Sequence, residues 1–149
     1  MPHPPLKATN ALYIKLGASS EWEKECISNG TLRLGYRELP DQLCRTTDWS
    51  AAELQALTFA KDKGAATRHI NQVRNFYETP ESTLWVTFHS DRLWWCFARE
   101  LVELQPDKTK LRRAVDRWRD HDLNGKPLLK ATLSGRLRNV SMTLRHHSS

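Results

Sequence analysis

Three cysteines, Cys26, Cys44 and Cys96, are too few and too widely spaced for a disulfide framework, and with no Cys-x-x-Cys pair they form no zinc-binding pattern. A reducing interior is the simpler setting. No apolar run approaches the length of a membrane span, and the opening MPHPPLKATN lacks the apolar stretch of a signal peptide. A soluble, cytoplasmic protein is expected. The chain has no G-x-G-x-x-G, no Walker loop and no zinc-protease helix, so the nucleotide-binding and metalloenzyme signatures are missing and neither a cofactor nor a metal is expected. Internal repeats and low-complexity tracts are absent, as is any linker that would divide the 149 residues. A single domain is expected over residues 11–140, behind a disordered leader (1–10) and ahead of a frayed polar tail (141–149).

What the chain does have is positive charge and tryptophan. The formal net charge is +6 and the sequence pI about 9.5, a balance that favours a polyanionic partner such as nucleic acid without establishing one. Six tryptophans exceed what one small core easily hides while giving every indole N–H a partner. Three of these sit in Leu84–Phe97, LWVTFHSDRLWWCF, which forms two alternating runs about a polar turn at Ser90-Asp91. This reads as a β-hairpin with His89 opposite Arg92 and Phe88 opposite Leu93, although the usual Asn-Gly or Asp-Gly turn signal is missing. The period of two sorts Leu84, Val86, Phe88, Leu93, Trp95 and Phe97 onto one face, the expected core face. Trp85, Thr87, His89, Arg92, Trp94 and Cys96 fall on the other, and Trp94 could face either core or pocket.

Around the hairpin, Leu12, Ile14 and Leu16 mark a first strand closed by Gly17, and Glu21 to Ser28 a short helix ended by Asn29-Gly30. Thr31–Tyr36 is a second strand. A capping box at Ser50-Ala51-Ala52-Glu53 starts a helix to about Lys61. After Gly64, Ala66, Ile70, Val73 and Tyr77 form one face of a further helix ending before Pro80. Lys108–Arg119, with six basic residues in twelve, suits either a helix or a strand. Asp120–Lys126 is a turn cluster, and Leu128–Val140 supplies one or two more strands. The irregular alternation of strands and helices predicts an α+β fold.

Two acid–base groupings invite an enzymatic reading. His89-Ser90-Asp91 has the letters of a hydrolase triad, but neighbours at a turn point apart, and the same letters make a turn. Asp120-His121-Asp122 could bind a metal or act as acid and base, with a solvated loop as the plainer alternative. The basic segment has its own pair of readings, a solvated face or a set of phosphate contacts.

The order of elements resembles the PUA-like superfamily, and within it the EVE and YTH domains. YIKLGASSEWEKECI is similar to the start of those domains, LRLGYRE to the segment that carries a cage aromatic, VRNFYE to the VRNY segment of EVE domains, and AVDRWRDHD to a late tryptophan-bearing strand. WVTFHSDRLWWCFARE resembles their central hairpin, except that Trp95-Cys96-Phe97-Ala98 replaces its small glycine-containing word. The resemblance implies a small, bent, mixed β-barrel with helices packed around it, whose aromatic pocket takes a modified base flipped from a DNA or RNA strand. Trp22, Tyr36, Trp49 and Trp118 would form the slot and Asn75 would read a base edge, while Arg74, Lys108, Lys110, Arg112 and Arg113 would hold phosphates. The expected function is a non-enzymatic reader of modified nucleic acid, the targeting module of a defence or restriction system with a partner nuclease. The alternatives are a small metal-dependent nuclease or hydrolase using His89, Asp120 and Asp122, and a protein-interaction module with an exposed apolar face.

Overall fold

The computed structural model describes residues 10–17 and 19–129. Its elements run β1 (Asn10–Tyr13), α1 (Glu23–Asn29), β2 (Thr31–Leu34), α2 (Asp41–Arg45), α3 (Trp49–Ala56), α4 (Lys63–Glu78), β3 (Thr83–His89), β4 (Arg92–Phe97), β5 (Glu103–Leu104) and β6 (Lys110–Arg113). The fold is α+β. One sheet has the order β1-β3-β4, with β1 parallel to β3, and the other the order β2-β6-β5. Among the described residues the two sheets are not closed into a barrel.

The β3–β4 hairpin has the anticipated register, His89 opposite Arg92 through Leu84 opposite Phe97. Its loop residues Ser90 and Asp91 both take left-handed backbone, φ 51° and 61°. A two-residue loop demands that conformation to match strand twist, and Asp tolerates it better than most residues. The assignment of faces holds in part: Val86 and Trp95 of the expected core face are buried, yet the main core cluster takes its hairpin members from the other face. Trp85, Thr87 and Cys96 are buried, with Trp85 and Cys96 in the main core, while Leu84, Phe88, Leu93 and Phe97 are only half-buried. Alternation sorts side chains into two sets, but which set is covered depends on where the helices pack. Phe76 of α4 lies edge-on to Trp85 with ring centroids 6.1 Å apart, so the Trp85 face is the one against the core.

Helix boundaries shifted for identifiable reasons. α3 is capped by Asp48, whose Oδ1 accepts from Ala51 N at 3.2 Å, which replaces the Ser50 capping box and moves the cap two residues earlier. It ends at Ala56, short of Lys61. α4 begins at Lys63, ahead of Gly64, because Asp62 Oδ1 accepts from Ala65 N at 2.7 Å. Its buried stripe is Ala66, Ile70, Val73 and Phe76, with Tyr77 half-buried. The short α2, after Pro40, was not anticipated.

The basic segment is a strand, β6, and it continues past its own sheet. Ala98 bridges Ala114, Trp95 bridges Arg119 and Arg92 bridges Leu129, so residues 114–129 run along the outer edge of β4 and tie the sheets at one corner. The expected leader and frayed tail lie outside the described residues apart from Asn10, and so do the expected late strands apart from Leu128 and Leu129. Among the described residues no helix is long and apolar enough to cross a membrane.

Candidate functional site

Residues 114–129 do not follow the β4 edge evenly. Val115 N donates to Phe97 O and Arg119 N to Trp95 O, each at 2.8 Å. Four residues on one side thus face two on the other, and Asp116–Trp118 bulge away from the strand. Leu128 N then donates to Asp120 O, and Leu93 N to Leu128 O, leaving 121–127 as a loop that departs and returns. Between the bulge and this loop opens a cleft of about 930 Å³, lined by Trp94–Phe97 and residues 115–125.

Three indoles are held around it by backbone carbonyls. Trp94 Nε1 donates to His89 O (3.1 Å), Trp95 Nε1 to His121 O (2.9 Å) and Trp118 Nε1 to Thr31 O (2.8 Å). Their orientations are therefore set before any ligand arrives. Trp118 is 3% exposed and belongs to the core, so it offers the cleft only an edge. Trp94 is half-buried and is the broader aromatic surface. The charged groups of the lining largely satisfy one another. Arg119 pairs with Asp116 and its guanidinium lies 6.0 Å from the Trp95 ring, while Asp120 is shared between Arg92 and His121. Asp122 Oδ1 closes its own loop by accepting from Asn124 N and Lys126 N at 2.8 and 2.9 Å.

No protein-family model matches the chain, and neither a curated protein nor a solved structure does. The side-chain geometry therefore carries the functional reading.

The residues expected to form one slot occupy separate places. Trp22 lies under Arg33 and Arg37, whose guanidinium carbons are 5.4 and 5.8 Å from its ring. Tyr36 has a left-handed backbone (φ 47°) and turns its ring edge-on to His69. Its hydroxyl donates to Gln72 Oε1 at 2.9 Å and stands 2.8 Å from His69 Nδ1. One hydroxyl proton cannot serve both, so a hydroxyl that donates to Gln72 accepts from His69 when Nδ1 carries the proton. Burial raises the Tyr36 phenol to about 12 and lowers the His69 imidazole. Trp49 Nε1 donates to Glu78 Oε1 at 2.8 Å, and the ring meets Tyr77. Asn75 is half-buried in α4, and its carbonyl accepts from Thr79 N and Thr79 Oγ1. No ring contact joins Trp22, Tyr36, Trp49 and Trp118 to one another among the described residues. Trp118 alone of this set reaches the cleft.

Two of the expected phosphate ligands are corrected outright. Lys110 and Arg112 are both 0% exposed. They alternate inward on β6, at the parity of buried Ala114, and each saturates on protein carbonyls. Lys110 Nζ donates to Tyr36 O (2.6 Å) and Leu39 O (2.8 Å), holding the turn after β2. Arg112 donates to Arg99 O, Phe76 O, Thr79 Oγ1, Thr79 O and Ala98 O. It thereby ties the last turn of α4, whose carbonyls lack intrahelical partners, to the end of β4. Burial lowers the pKa of both cations. Neither can reach a phosphate. Arg113 and Arg74 are exposed but paired with Glu103 and Glu78, at 2.7 and 3.0 Å, and Lys108 is exposed at the turn before β6.

The hydrolase set is likewise dispersed. His89 Nδ1 meets Glu23 Oε1 at 2.7 Å, away from the partners of Asp120 and Asp122. Among the described residues no three His, Cys, Asp or Glu side chains converge as metal ligands. Trp94 is the site residue that sequence reasoning left unassigned. Its signal was its place on the mixed face of the hairpin, two residues from the end of the edge strand.

Proposed function

We propose that the chain is a non-enzymatic nucleic-acid-binding module that takes an unstacked or flipped base, carrying a modification, into the cleft beside Trp94. The observation that carries this is the preset aromatic surface. Trp94 is held by His89 O at 3.1 Å at the wall of a cleft of about 930 Å³, ample for one base and a substituent. A preset aromatic wall needs little reorganisation on binding, and stacking is tolerant of base identity. The cleft also offers acceptors and donors for a base edge in Asp122 and Asn124, with the exposed Arg117 at the rim. This moves the binding surface from Trp22, Tyr36 and Trp49 to Trp94, and keeps Trp118 as its floor.

The PUA-like reading of the fold is part of the proposal. It is supported by the strand that runs from one sheet through β6 onto the edge of the other, the sheet-switching geometry of small bent barrels. A cytoplasmic setting with a partner nuclease goes with it, in keeping with the free, buried state of Cys26, Cys44 and Cys96.

The test is a screen of oligonucleotides bearing different base modifications, with plain strands as controls, against wild type and Trp94→Ala. Loss of one stacking surface should weaken the preferred strand by about 5- to 150-fold and erase the preference over the plain strand. An unchanged preference in Trp94→Ala would remove this cleft from consideration.

A further inference from the structure

A polyanion needs cations that are not already engaged. Seven of the eleven described arginines are ion-paired with carboxylates, and Arg112, like Lys110, is inside. A phosphate reaching a paired arginine has to displace a carboxylate. Three arginines stay exposed with no carboxylate partner, Arg68, Arg99 and Arg117, and two of them border the cleft beside Trp94. All 17 acidic residues lie among the described ones, so every carboxylate side chain that competes for these cations is accounted for.

Each lip of the cleft carries such a cation. On the bulge, Trp118 turns into the core to donate to Thr31 O, and Asp116 turns to Arg119. Arg117 between them is left exposed on the lining. At the foot of the bulge, Arg99 is fixed through its backbone, its N donating to Arg113 O at 2.8 Å and its O accepting from Arg112 Nε at 2.7 Å. Its guanidinium rests on the carbonyl of Val115, a lining residue, at 3.5 Å and keeps the rest of its fork for solvent. On the opposite lip, the 121–127 loop carries the exposed Lys126. Its backbone is tied twice to Asp122, N to Oδ1 at 2.9 Å and O to N at 2.8 Å, so the loop holds the ammonium in place without neutralising it.

An extruded base has a phosphate on each side of its own sugar, so a strand that delivers one to the cleft passes over both lips. Forked guanidiniums and a lysine ammonium both suit phosphate oxygens, and such contacts position a strand without reading its sequence. We infer that Arg99 and Arg117 hold the phosphate on one side of the extruded nucleotide and Lys126 the phosphate on the other. This subsite takes the place of the one expected at Lys110, Arg112 and Arg113, and it rests on the cleft reading above. Trp94 supplies the discrimination and the three lip cations the electrostatic affinity.

The experiment measures binding of a modified and a plain single-stranded oligonucleotide between 50 and 200 mM salt. It uses wild type, Trp94→Ala, a lip variant with Arg99, Arg117 and Lys126 each changed to glutamine, and a control with Lys61, Lys63 and Arg68 each changed to glutamine. The control loses the same charge from exposed residues that do not line the cleft. Thermal unfolding verifies that each variant is folded, and the single variants Arg117→Gln and Lys126→Gln repeat the measurement at one charge each. Three contacts on a single strand account for a slope of about 2 in log affinity against log salt, or about 20-fold across that range, and each single variant should lower the slope by about 0.7. The lip variant should lose that dependence and keep its ratio of modified to plain binding. Trp94→Ala should lose the ratio and keep the slope, and the control should keep both. A slope unchanged in the lip variant, or lowered as much in the control, overturns this assignment while the Trp94-dependent ratio stands. Absence of oligonucleotide binding by wild type overturns the cleft reading and this assignment together.

Discussion

Replacing Arg112 by alanine separates its structural role from a phosphate-binding one. The guanidinium serves five acceptor sites: Arg99 O, Ala98 O, Phe76 O, Thr79 O and Thr79 Oγ1. At the low end of the cost of an unsatisfied buried group, about 1 kcal/mol each because water can enter the space left behind, their loss totals about 5 kcal/mol. Part is recovered because a charge no longer has to be buried. A net loss of about 3 kcal/mol is expected, which for a domain of this size lowers Tm by about 6–12 °C. Arg112→Lys should fall between, since an ammonium keeps the charge but loses the planar fork. Thermal and urea unfolding followed by far-UV circular dichroism would check this. The guanidinium lies 5.9 Å from the Trp85 ring, so tryptophan fluorescence should change in parallel. An Arg112→Ala protein melting within about 2 °C of wild type, with oligonucleotide binding weakened, would refute the structural assignment and restore the phosphate role.

Other outcomes follow from the same contacts. Asp48→Ala should cost about 1 kcal/mol through the lost cap of α3, while Ser50→Ala should be nearly neutral; urea midpoints of the two variants decide between the caps. Asp107 accepts from Thr109 Oγ1 and Thr109 N, which hold its carboxyl down to about 2. Its folded pKa lies below the unfolded one, so its contribution is present above pH 4 and lost as pH falls toward 2. Asp107→Asn should flatten that acid limb in pH-dependent unfolding. Burial lowers His69, with the Arg68 charge adding to it. The unfolded chain takes up that proton first, so stability should fall as pH drops through about 6.5, and His69→Gln should remove that slope in the same titration.

How far the sequence could be read depends on the kind of interaction that decided each feature. The hairpin register was legible because Ser90-Asp91 sits between two alternating runs and a shift of one residue would have inverted both. Which set enters the main core was not, because the more aliphatic face looked the better core while tryptophans occur on each, and only the placement of Phe76 against Trp85 settles it. Lys110 and Arg112 were misassigned because a basic strand reads as solvated until the carbonyls that receive it are known. Those acceptors come from the turn at Tyr36–Leu39, the end of α4 and the end of β4, all remote in sequence. The capping signal before α3 was legible as a helix start but not as a residue, since Asp48 and Ser50 are both competent caps. At the cleft, Trp118 could be anticipated from its segment, whereas Trp94 required the bulge at Asp116–Trp118 that opens the edge of β4.

The most direct test of base binding beside Trp94 is an NMR titration of the six indole N–H signals, assigned by single Trp→Phe variants, with an oligonucleotide bearing the preferred modified base. Ring currents from a stacked base should shift the Trp94 signal most and the buried Trp118 signal less, leaving Trp22 and Trp49 in place. Shifts at Trp22 and Trp49 with Trp94 unmoved would contradict the assignment.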